Sequence, residues 1–356
     1  MTACKAPGKL ILSGEHAVVQ GCPALVMAVN RYVRATIQPT TEADTVSLAA
    51  PEVLGSGRCC WEDLPALKQR LDDRFQAFLD GKLPIQEVTE DDMNLVYYGL
   101  ALLLQTGQIK PDRGIALTLN SDVPLGCGMG SSAALMAAVF AAVISHWSVE
   151  AAREALYAWT LATERLQHGH PSGVDPYITV HGGLVRFQRG TAQPLKAASS
   201  AVPIRLVLTG TPESTTGECV EWVRQQHGQD QALWDTFTCT TEAVADAWAA
   251  GDADALGAAI RENHQLLKHI GVVPERVQAF VSAVEESGGA AKICGAGSIR
   301  GATAGVALVI GSPAASQAGR ANRPGEPGFD LASLCDQFGY REMAITLDEK
   351  GVAPGS

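Results

Sequence analysis

The sequence predicts an α+β protein of two domains, and three observations lead to that prediction. The chain has 356 residues, whereas a single hydrophobic core rarely grows past roughly 250–300 residues. The stretch 188–203 is small, polar and proline-bearing, which is typical of a domain boundary. After it, predicted helices follow one another without alternating strictly with strands, which indicates α+β domains. We expect one domain over 1–195 and a second over 196–356.

The first part of the chain is predicted to form a sheet with helices packed on it. Short apolar or alternating runs indicate strands at 10–12, 24–29, 32–37 and 115–119. Apolar residues three and four apart predict an amphipathic helix over 61–82, with Gly81 as its stop signal. A second helix is predicted over 93–104, capped by Asp91 or Asp92.

The pattern continues through the rest of the chain. The run 133–146 is apolar almost all round and predicts a buried helix. Strands are expected at 178–180 and 184–187, with two glycines between them. In the second half, strands are expected at 204–208 and 302–310, and helices near 216–227, 231–250, 253–268 and 274–287. A polar loop over 311–328 precedes a final helix and strand.

The composition disfavours several classes of protein. Hydrophobic residues make up 46% of the chain and charged residues 18%, which excludes disorder as the main state. A net charge of −11 disfavours nucleic acid or an anionic membrane as the main partner. The sequence shows no signal-peptide pattern and no run near the ~20 apolar residues of a membrane span. The nine cysteines include no CxxC pair, so we expect reduced thiols in a cytoplasmic protein without a zinc site.

The segment 124–132 carries the clearest chemical signal. It reads Pro-Leu-Gly-Cys-Gly-Met-Gly-Ser-Ser and runs directly into the Ala-rich helix. Alternating glycines let backbone amides converge, and the helix adds the positive end of its dipole, so the segment predicts a phosphate site. Ser131 and Ser132 could cap the helix, contact a phosphate or ligate Mg²⁺. A flexible loop with an N-cap serine is the alternative interpretation.

Other motifs for phosphate binding or nucleophilic catalysis fit this sequence less well. The chain lacks the GxxxxGK of a Walker A loop followed by Ser or Thr. The dinucleotide fingerprint GxGxxG fails because Ser131 occupies the position of its last glycine. The absence of a GxSxG elbow weighs against an α/β-hydrolase.

Three motifs, in order, resemble those of the GHMP kinase family, which is named for galacto-, homoserine, mevalonate and phosphomevalonate kinases. They are Ala6-Pro7-Gly8-Lys9 with Gly14-Glu15-His16, then Pro124 to Ala133, then Lys292-Ile293-Cys294-Gly295-Ala296-Gly297. Their order and spacing cover almost the whole chain. The resemblance implies a two-domain GHMP kinase fold: a ribosomal-S5-like N-terminal domain, a ferredoxin-like C-terminal domain and an active site between them.

Two further segments resemble the mevalonate kinases of that family. The stretch 164–175, Glu-Arg-Leu-Gln-His-Gly-His-Pro-Ser-Gly-Val-Asp, looks like the one that carries their metal-binding Glu and catalytic Asp. The stretch 262–267, followed by Gly271-Val272, resembles the helix and turn before their third motif. The resemblance implies ATP-dependent phosphorylation of the 5-hydroxyl of mevalonate to 5-phosphomevalonate, a step of isoprenoid precursor synthesis.

The chemistry of phosphoryl transfer and the resemblance together assign roles around the substrate. Asp175 is the expected catalytic base, because a primary hydroxyl needs a proton acceptor. Lys9 is the expected cation, which would stabilise the developing alkoxide and the transferring phosphoryl group. Glu15 and His16 are expected to line the substrate side beside Asp175, with His16 donating a hydrogen bond to a substrate hydroxyl or carboxylate.

The nucleotide and its metal ion are assigned to the second motif. Ser132 and Glu164 are expected to ligate Mg²⁺, which prefers hard oxygen ligands and takes few of them from protein. The residues expected to hold the phosphates of ATP are Pro124, Gly126, Cys127, Gly128, Met129, Gly130, Ser131 and Ser132. Each site residue also has a structural interpretation: Glu164 as a solvated helix residue, Asp175 as a turn residue and Lys9 as an exposed turn cation.

The third motif departs from the family pattern. Ser298-Ile299-Arg300 stand before Gly301, where most relatives continue with glycines. Arg300 could make a bidentate contact to a phosphate or carboxylate, which would suit an acceptor that is already phosphorylated, such as phosphomevalonate. It could equally lie in solvent.

Three functions remain open at this point. The first is a mevalonate 5-kinase, and the second is another enzyme of the fold: a phosphomevalonate kinase, a sugar kinase or diphosphomevalonate decarboxylase. The third is a ligand sensor without catalysis, against which the joint presence of Lys9, Ser132, Glu164 and Asp175 argues. The expected partners are a small acceptor and ATP, and the family is compatible with a homodimer.

Overall fold

The computed structural model describes residues 1–51, 54–195, 204–311 and 329–355. Within these ranges the strands are β1 (Thr2–Ser13), β2 (Ala24–Pro39), β3 (Thr45–Ala50), β4 (Gly55–Cys60), β5 (Ile115–Ser121), β6 (Leu184–Gln188), β7 (Thr191–Leu195), β8 (Ile204–Gly210), β9 (Ala290–Cys294), β10 (Gly305–Ile310), β11 (Arg341–Ala344) and β12 (Ala353–Pro354). The helices are α1 (Leu64–Leu79), α2 (Met93–Gln105), α3 (Ser131–His146), α4 (Arg153–His168), α5 (Val174–His181), α6 (Thr216–His227), α7 (Gln231–Ala250), α8 (Ala253–His269), α9 (Glu275–Glu286) and α10 (Leu331–Phe338). Nearly all of the predicted loop 311–328 lies outside the described residues.

The first sheet is organised around β2, which runs as one strand of 16 residues. It pairs with β1 along one edge, with β6 over its first part and with β5 over its last part. The path through the sheet is β12-β1-β2-β5-β3-β4, with β7 beside β6. The sequence predicted two separate strands at 24–29 and 32–37, and the structure joins them because β2 itself has no glycine or proline between the two segments.

Helix α3 fills the centre of the first domain. Its side chains from Ala133 to Ile144 are all buried, which confirms the prediction of a buried helix. It packs on β1 and β2 and contacts α4 and α5. The first turn of α3 is therefore held against β1, the strand that contains Lys9. Among the described residues, no helix is long and apolar enough to cross a membrane.

The second sheet has the antiparallel order β11-β8-β10-β9. Helices α8 and α9 pack on β9. Helix α7 contacts β1 and β2 and also packs on α8, so α7 and α8 together connect the two sheets. The sheets divide at 196–203, which lies outside the described residues, so the exact boundary stays a prediction. Near its end the chain returns to the first sheet, where Cys4 and Lys5 of β1 pair with Pro354 and Ala353 of β12.

The strand predicted at 178–180 is wrong, because these residues lie in α5. Gly173, with φ of 86°, begins this helix, and Pro176 stands in its first turn, where a missing N–H costs nothing. The β-branched side chains suggested a strand, but tertiary burial outweighs that weak propensity. Of the two candidate caps of α2, Asp91 is the one whose carboxylate accepts the Met93 N–H, at 2.9 Å.

The buried histidine of α8 makes stability depend on pH. Burial lowers the pKa of His264 to about 4, so the folded protein keeps the ring neutral while the unfolded chain protonates it near 6.5. The stability that this neutral ring contributes is present above pH 6.5 and is lost as pH falls towards 4. We expect the free energy of unfolding to drop by about 2 kcal/mol between pH 7 and pH 5 from this group alone.

Urea denaturation of His264→Gln at pH 7 and pH 5 measures this contribution. The variant should show a smaller loss of stability between the two pH values than the unchanged protein. His269→Gln is the matched control, because His269 is exposed on the same helix and its replacement should keep most of the loss of stability between the two pH values. An equal pH dependence in all three proteins would show that His264 titrates normally.

Candidate active site

Lys9 is placed by an irregularity in β1. The pairing of β1 with β2 shifts register between Pro7 and Gly8, directly before the lysine. At this point the Lys9 N–H donates to the carbonyl of Met129 in the glycine-rich loop, at 2.9 Å. Strand β1 is thus hydrogen-bonded to the glycine-rich loop as well as to β2. The side chain of Lys9 lies under the loop, and the residue is only 4% exposed.

The glycine-rich loop requires glycine at the positions where it approaches other chain segments. Gly126, Gly128 and Gly130 have φ values of 66°, 80° and 67°, which side chains other than glycine rarely adopt. A Cβ on Gly130 would stand 2.9 Å from Cγ of Lys9 and 3.3 Å from Oδ2 of Asp175. The alternation of glycines is therefore a steric requirement, and α3 begins at the next residue with its N–H groups facing the loop.

Asp175 reaches the same point from the first turn of α5. Its Oδ1 lies 3.3 Å from Nζ of Lys9. The side chain of Lys9 is 5% exposed and that of Asp175 is 28% exposed, so the carboxylate is the member of the pair that a ligand can reach. The accessible carboxylate can accept a proton from a substrate, and the buried cation beside it can stabilise the negative charge that then develops on the substrate.

Glu164 and Ser132 form a second pair behind the first turn of α3. The Ser132 hydroxyl donates to Oε1 of Glu164 at 2.6 Å, and Nε2 of His168 lies 3.5 Å from Oε2. Glu164 is only 2% exposed, which excludes its interpretation as a solvated helix residue. Burial raises the pKa of this carboxyl, and the charge of nearby Asp175 adds to that effect while His168 opposes it.

These two residues fit a magnesium ion. They supply a hydroxyl and a carboxylate oxygen side by side, which are the hard donors that Mg²⁺ takes from protein while it draws its other ligands from phosphate and water. Burial and the nearby charge of Asp175 make it unfavourable to ionise the carboxyl of Glu164, and this raises its pKa. A bound cation would stabilise the ionised carboxylate and so offset that effect. Ser132 and Glu164 could therefore hold the ion that accompanies a nucleoside triphosphate.

Two family models match the chain, and each covers one side of this site. The GHMP kinases N terminal domain matches residues 94–183, which contain the loop, Glu164 and Asp175. The GHMP kinases C terminal domain matches residues 243–303, which contain the third glycine motif. The chain belongs to the GHMP kinase family. Enzymes of this family are ATP-dependent kinases.

Individual relatives agree with this placement. The mevalonate kinase of Thermococcus gammatolerans is 28% identical over 304 residues, covering 82% of this chain and 85% of that protein. The mevalonate kinase of Mus musculus is 31% identical over 241 residues, covering 59% of each. The solved structure of Methanococcus jannaschii mevalonate kinase matches with a TM-score of 0.76 at 18% identity, covering 97% of this chain and 98% of that one. This structural match shows the shared fold.

Glu15 and His16 of this GHMP kinase lie where the two sheets meet. Glu15 is 1% exposed and its Oε1 is bonded to Lys292 of β9. His16 has an unusual φ of 59°, and its Nε2 lies 3.0 Å from the carbonyl of Ala296, to which it must donate. Burial lowers the pKa of His16 to about 4, so the ring is neutral at pH 7. Nδ1 is then an acceptor, which differs from the donor role predicted from the sequence.

Arg300 is held by the protein itself. Its guanidinium donates to both carboxylate oxygens of Glu218, at 2.8 and 3.1 Å, and to the carbonyl of Glu213 at 3.1 Å. Glu218 belongs to the capping box of α6, so this contact fixes the arginine at a helix start. The sequence suggested a bidentate contact to a ligand, whereas here a single guanidinium nitrogen contacts a carboxylate of the same chain.

Lys292 is the residue near the site to which the sequence assigned no role. It is fully buried in β9, a strand whose other residues are apolar or small. A lysine in an otherwise apolar strand was the available signal, because lysines are almost never fully buried unless paired. Its partner Glu15 is 277 positions away, and nothing in the local sequence pattern connects the two.

The buried carboxylate of Glu164 is expected to lower the stability of the ligand-free protein and to strengthen its binding of a magnesium–nucleotide complex. Glu164→Gln removes a desolvated charge and keeps a carbonyl oxygen that can accept from Ser132. Because burial raises the pKa of Glu164, the folded protein loses stability as pH rises above 4.5 and the carboxyl ionises. We therefore expect the ligand-free variant to melt at pH 8 at the same temperature as the unchanged protein or higher.

Thermal melts with and without Mg-ADP measure the other half of this prediction. The unchanged protein should gain stability from the complex, whereas Glu164→Gln should lose most of the magnesium-dependent part of that gain. Glu154→Gln, an exposed change on the same helix, should behave like the unchanged protein. A full magnesium-dependent shift in Glu164→Gln would remove Glu164 from the metal site.

Proposed function

We propose that this GHMP kinase transfers the γ-phosphoryl group of ATP to the 5-hydroxyl of mevalonate, giving 5-phosphomevalonate and ADP. The observation that carries the proposal is the juxtaposition of Lys9 and Asp175 at 3.3 Å under the glycine-rich loop, in a chain whose relatives over most of its length are named mevalonate kinases. The structural match alone supports the fold, so the choice of acceptor rests on these sequence relatives and on the motifs.

Asp175 is the group we assign to the acceptor hydroxyl. Its carboxylate is accessible, while that of Glu164 is buried and accepts a hydrogen bond from Ser132, so of these two carboxylates Asp175 is the one that an incoming hydroxyl can reach. In the proposed step the hydroxyl oxygen bonds to the γ-phosphorus, the bond from phosphorus to the β–γ bridging oxygen breaks, and Asp175 takes the hydroxyl proton. Lys9 lies beside Asp175 and would stabilise the negative charge of the developing alkoxide and of the transferring phosphoryl group.

The loop and the start of α3 would bind the phosphates. Gly126, Gly128 and Gly130 have positive φ values and no side chains, so backbone N–H groups of this loop could approach phosphate oxygens, and the helix adds the positive end of its dipole. Mg²⁺ at Ser132 and Glu164 would neutralise charge on the phosphate oxygens. On the acceptor side, His16 is neutral and its buried Nδ1 can only accept a hydrogen bond, so a contact with substrate would be to a hydroxyl and not to a carboxylate.

The alternatives left open by the sequence are less well supported. Arg300 was the reason to consider a phosphorylated acceptor, and its charge is already compensated by Glu218. An inactive sensor would have no need for Lys9 and Asp175 to meet, or for Ser132 to contact Glu164. Sugar phosphorylation and decarboxylation stay as outcomes that the experiment below distinguishes.

Asp175→Asn tests the assignment of the base. The amide keeps the shape of the side chain but cannot accept the hydroxyl proton, so kcat should fall about 10³-fold while nucleotide affinity is kept. Steady-state kinetics and a fluorescent-nucleotide titration measure the two quantities. Asp122→Asn is the matched control, because Asp122 is an exposed carboxylate paired with Arg34 just before the loop. A variant Asp175→Asn with nearly unchanged kcat would exclude the base assignment.

The choice of acceptor is tested by ADP release with Mg-ATP. We expect turnover with mevalonate and none above background with phosphomevalonate, homoserine or galactose. Turnover with phosphomevalonate alone would refute the proposed substrate and keep the fold and the catalytic pair. Release of CO₂ from diphosphomevalonate would indicate the decarboxylase, and binding of ATP without turnover of any acceptor would indicate the sensor.

A further inference from the structure

A buried ion pair joins the two domains directly beside the proposed site. Glu15 follows β1 in the first domain, and Lys292 lies in β9 of the second. Both side chains are completely inaccessible to solvent, and Nζ of Lys292 donates to Oε1 of Glu15. The proposed transfer of the phosphoryl group uses neither Lys292 nor this contact.

The lysine is fully satisfied in this position. Besides Glu15, its ammonium group donates to the carbonyl of Ile11 at 3.2 Å and to that of Ile293 at 2.8 Å. One acceptor lies on β1 and another on β9, so the three donors of the ammonium bind both strands and the carboxylate between them. A cation with this arrangement fixes the distance between β1 and β9 at one point.

The two strands carry the groups that must be aligned for catalysis. Ile11 stands two residues after Lys9 on β1. On the other side, β9 leads into Gly295, against which Gly128 of the glycine-rich loop packs so closely that a Cβ on Gly128 would stand 2.9 Å from the carbonyl of Cys294. The same turn presents the carbonyl of Ala296 that receives His16.

We propose that Glu15 and Lys292 are a positioning pair, which sets the alignment of Lys9 and His16 on the first domain against the third glycine motif of the second domain. Neither residue has to touch the reacting atoms. The pair acts through β1 and β9, and its loss should impair the chemical step more than the binding of ATP. This positioning role rests on the proposed function only because the kinetic test needs an acceptor that the protein phosphorylates.

Stability alone does not account for the pair. Burying two charged side chains costs more free energy than burying two apolar side chains of the same volume. Replacing both members of a buried ion pair is therefore often neutral or stabilising, whereas replacing one leaves an uncompensated buried charge. Burial raises the pKa of Glu15 despite its attraction to Lys292, which reflects this cost. Geometry is what an apolar pair could not reproduce, because only the ammonium group bonds to both strands.

The test compares single and double replacements. Glu15→Leu and Lys292→Met should each lower the melting temperature strongly, and the double variant should recover most of that loss. With whichever acceptor supports turnover of the unchanged protein, we expect the double variant to keep its KM for ATP within about threefold and to lose about 10²-fold in kcat, the scale of a misalignment near 1 Å. A double variant that recovers both stability and kcat would show that the pair is only structural.

Hydrogen exchange supplies a readout that needs no acceptor. The Lys9 N–H is protected by the Met129 carbonyl, and in the double variant it should exchange at least about tenfold faster than in the unchanged protein. Unchanged protection of Lys9 in a folded double variant would refute the positioning role, whatever the substrate proves to be.

A second bond across the domains provides the matched control. Ser13 of β1 and Thr241 of α7 are hydrogen-bonded at 2.8 Å and buried, but this contact does not involve β9. Thr241→Val should cost some stability and leave kcat and Lys9 exchange unchanged. If the double variant fails to fold, Glu15→Asp keeps the charge and shortens its reach, so kcat should fall about tenfold with KM for ATP retained; an unchanged kcat there would equally overturn the proposal.

Discussion

The approach of the glycine-rich loop to β1 is the constraint on which the site depends. At Gly130 the loop passes so close to Lys9 and Asp175 that one additional carbon atom would displace both. The Lys9 N–H and the Met129 carbonyl hold the strand and the loop together at the same level. Three separate segments of the chain therefore meet in close contact, which fixes a cation, a carboxylate and the glycine-rich turn relative to one another.

The pairing of the charged side chains near this point could not be inferred from the net acidic charge of the protein. Asp175 has Lys9 as its partner, and Glu15 has Lys292. Glu164 is the third buried or partly buried carboxylate, and in the part of the chain that the structure describes no lysine or arginine lies within ion-pair distance of it. It is therefore the carboxylate with an electrostatic reason to bind a metal ion. A net charge of −11 is compatible with an anionic ligand because the lysines act at short range in a desolvated site.

The sequence predicted the parts of the site that depend on residue type. Alternating glycines before a helix imply a backbone that only glycine adopts, and Gly126, Gly128 and Gly130 do have positive φ values. The ends of most helices followed from apolar periodicity. The strand expected at 178–180 failed because β-branched residues fill a buried helix equally well when tertiary contacts decide. The Glu15–Lys292 contact was out of reach for a different reason, since no local period relates residues so far apart.

The pairing of β12 with β1 has a consequence for how the chain is made. The edge of β1 near Cys4 gains its partner, Ala353–Pro354, only after all of the chain between the two strands has been synthesised. Until then one side of β1 has unpaired N–H and C=O groups near its start, which is the kind of edge that invites pairing with other chains. Protection of β1 in the nascent chain must therefore come from β2 and α3, both of which precede β12 in the sequence.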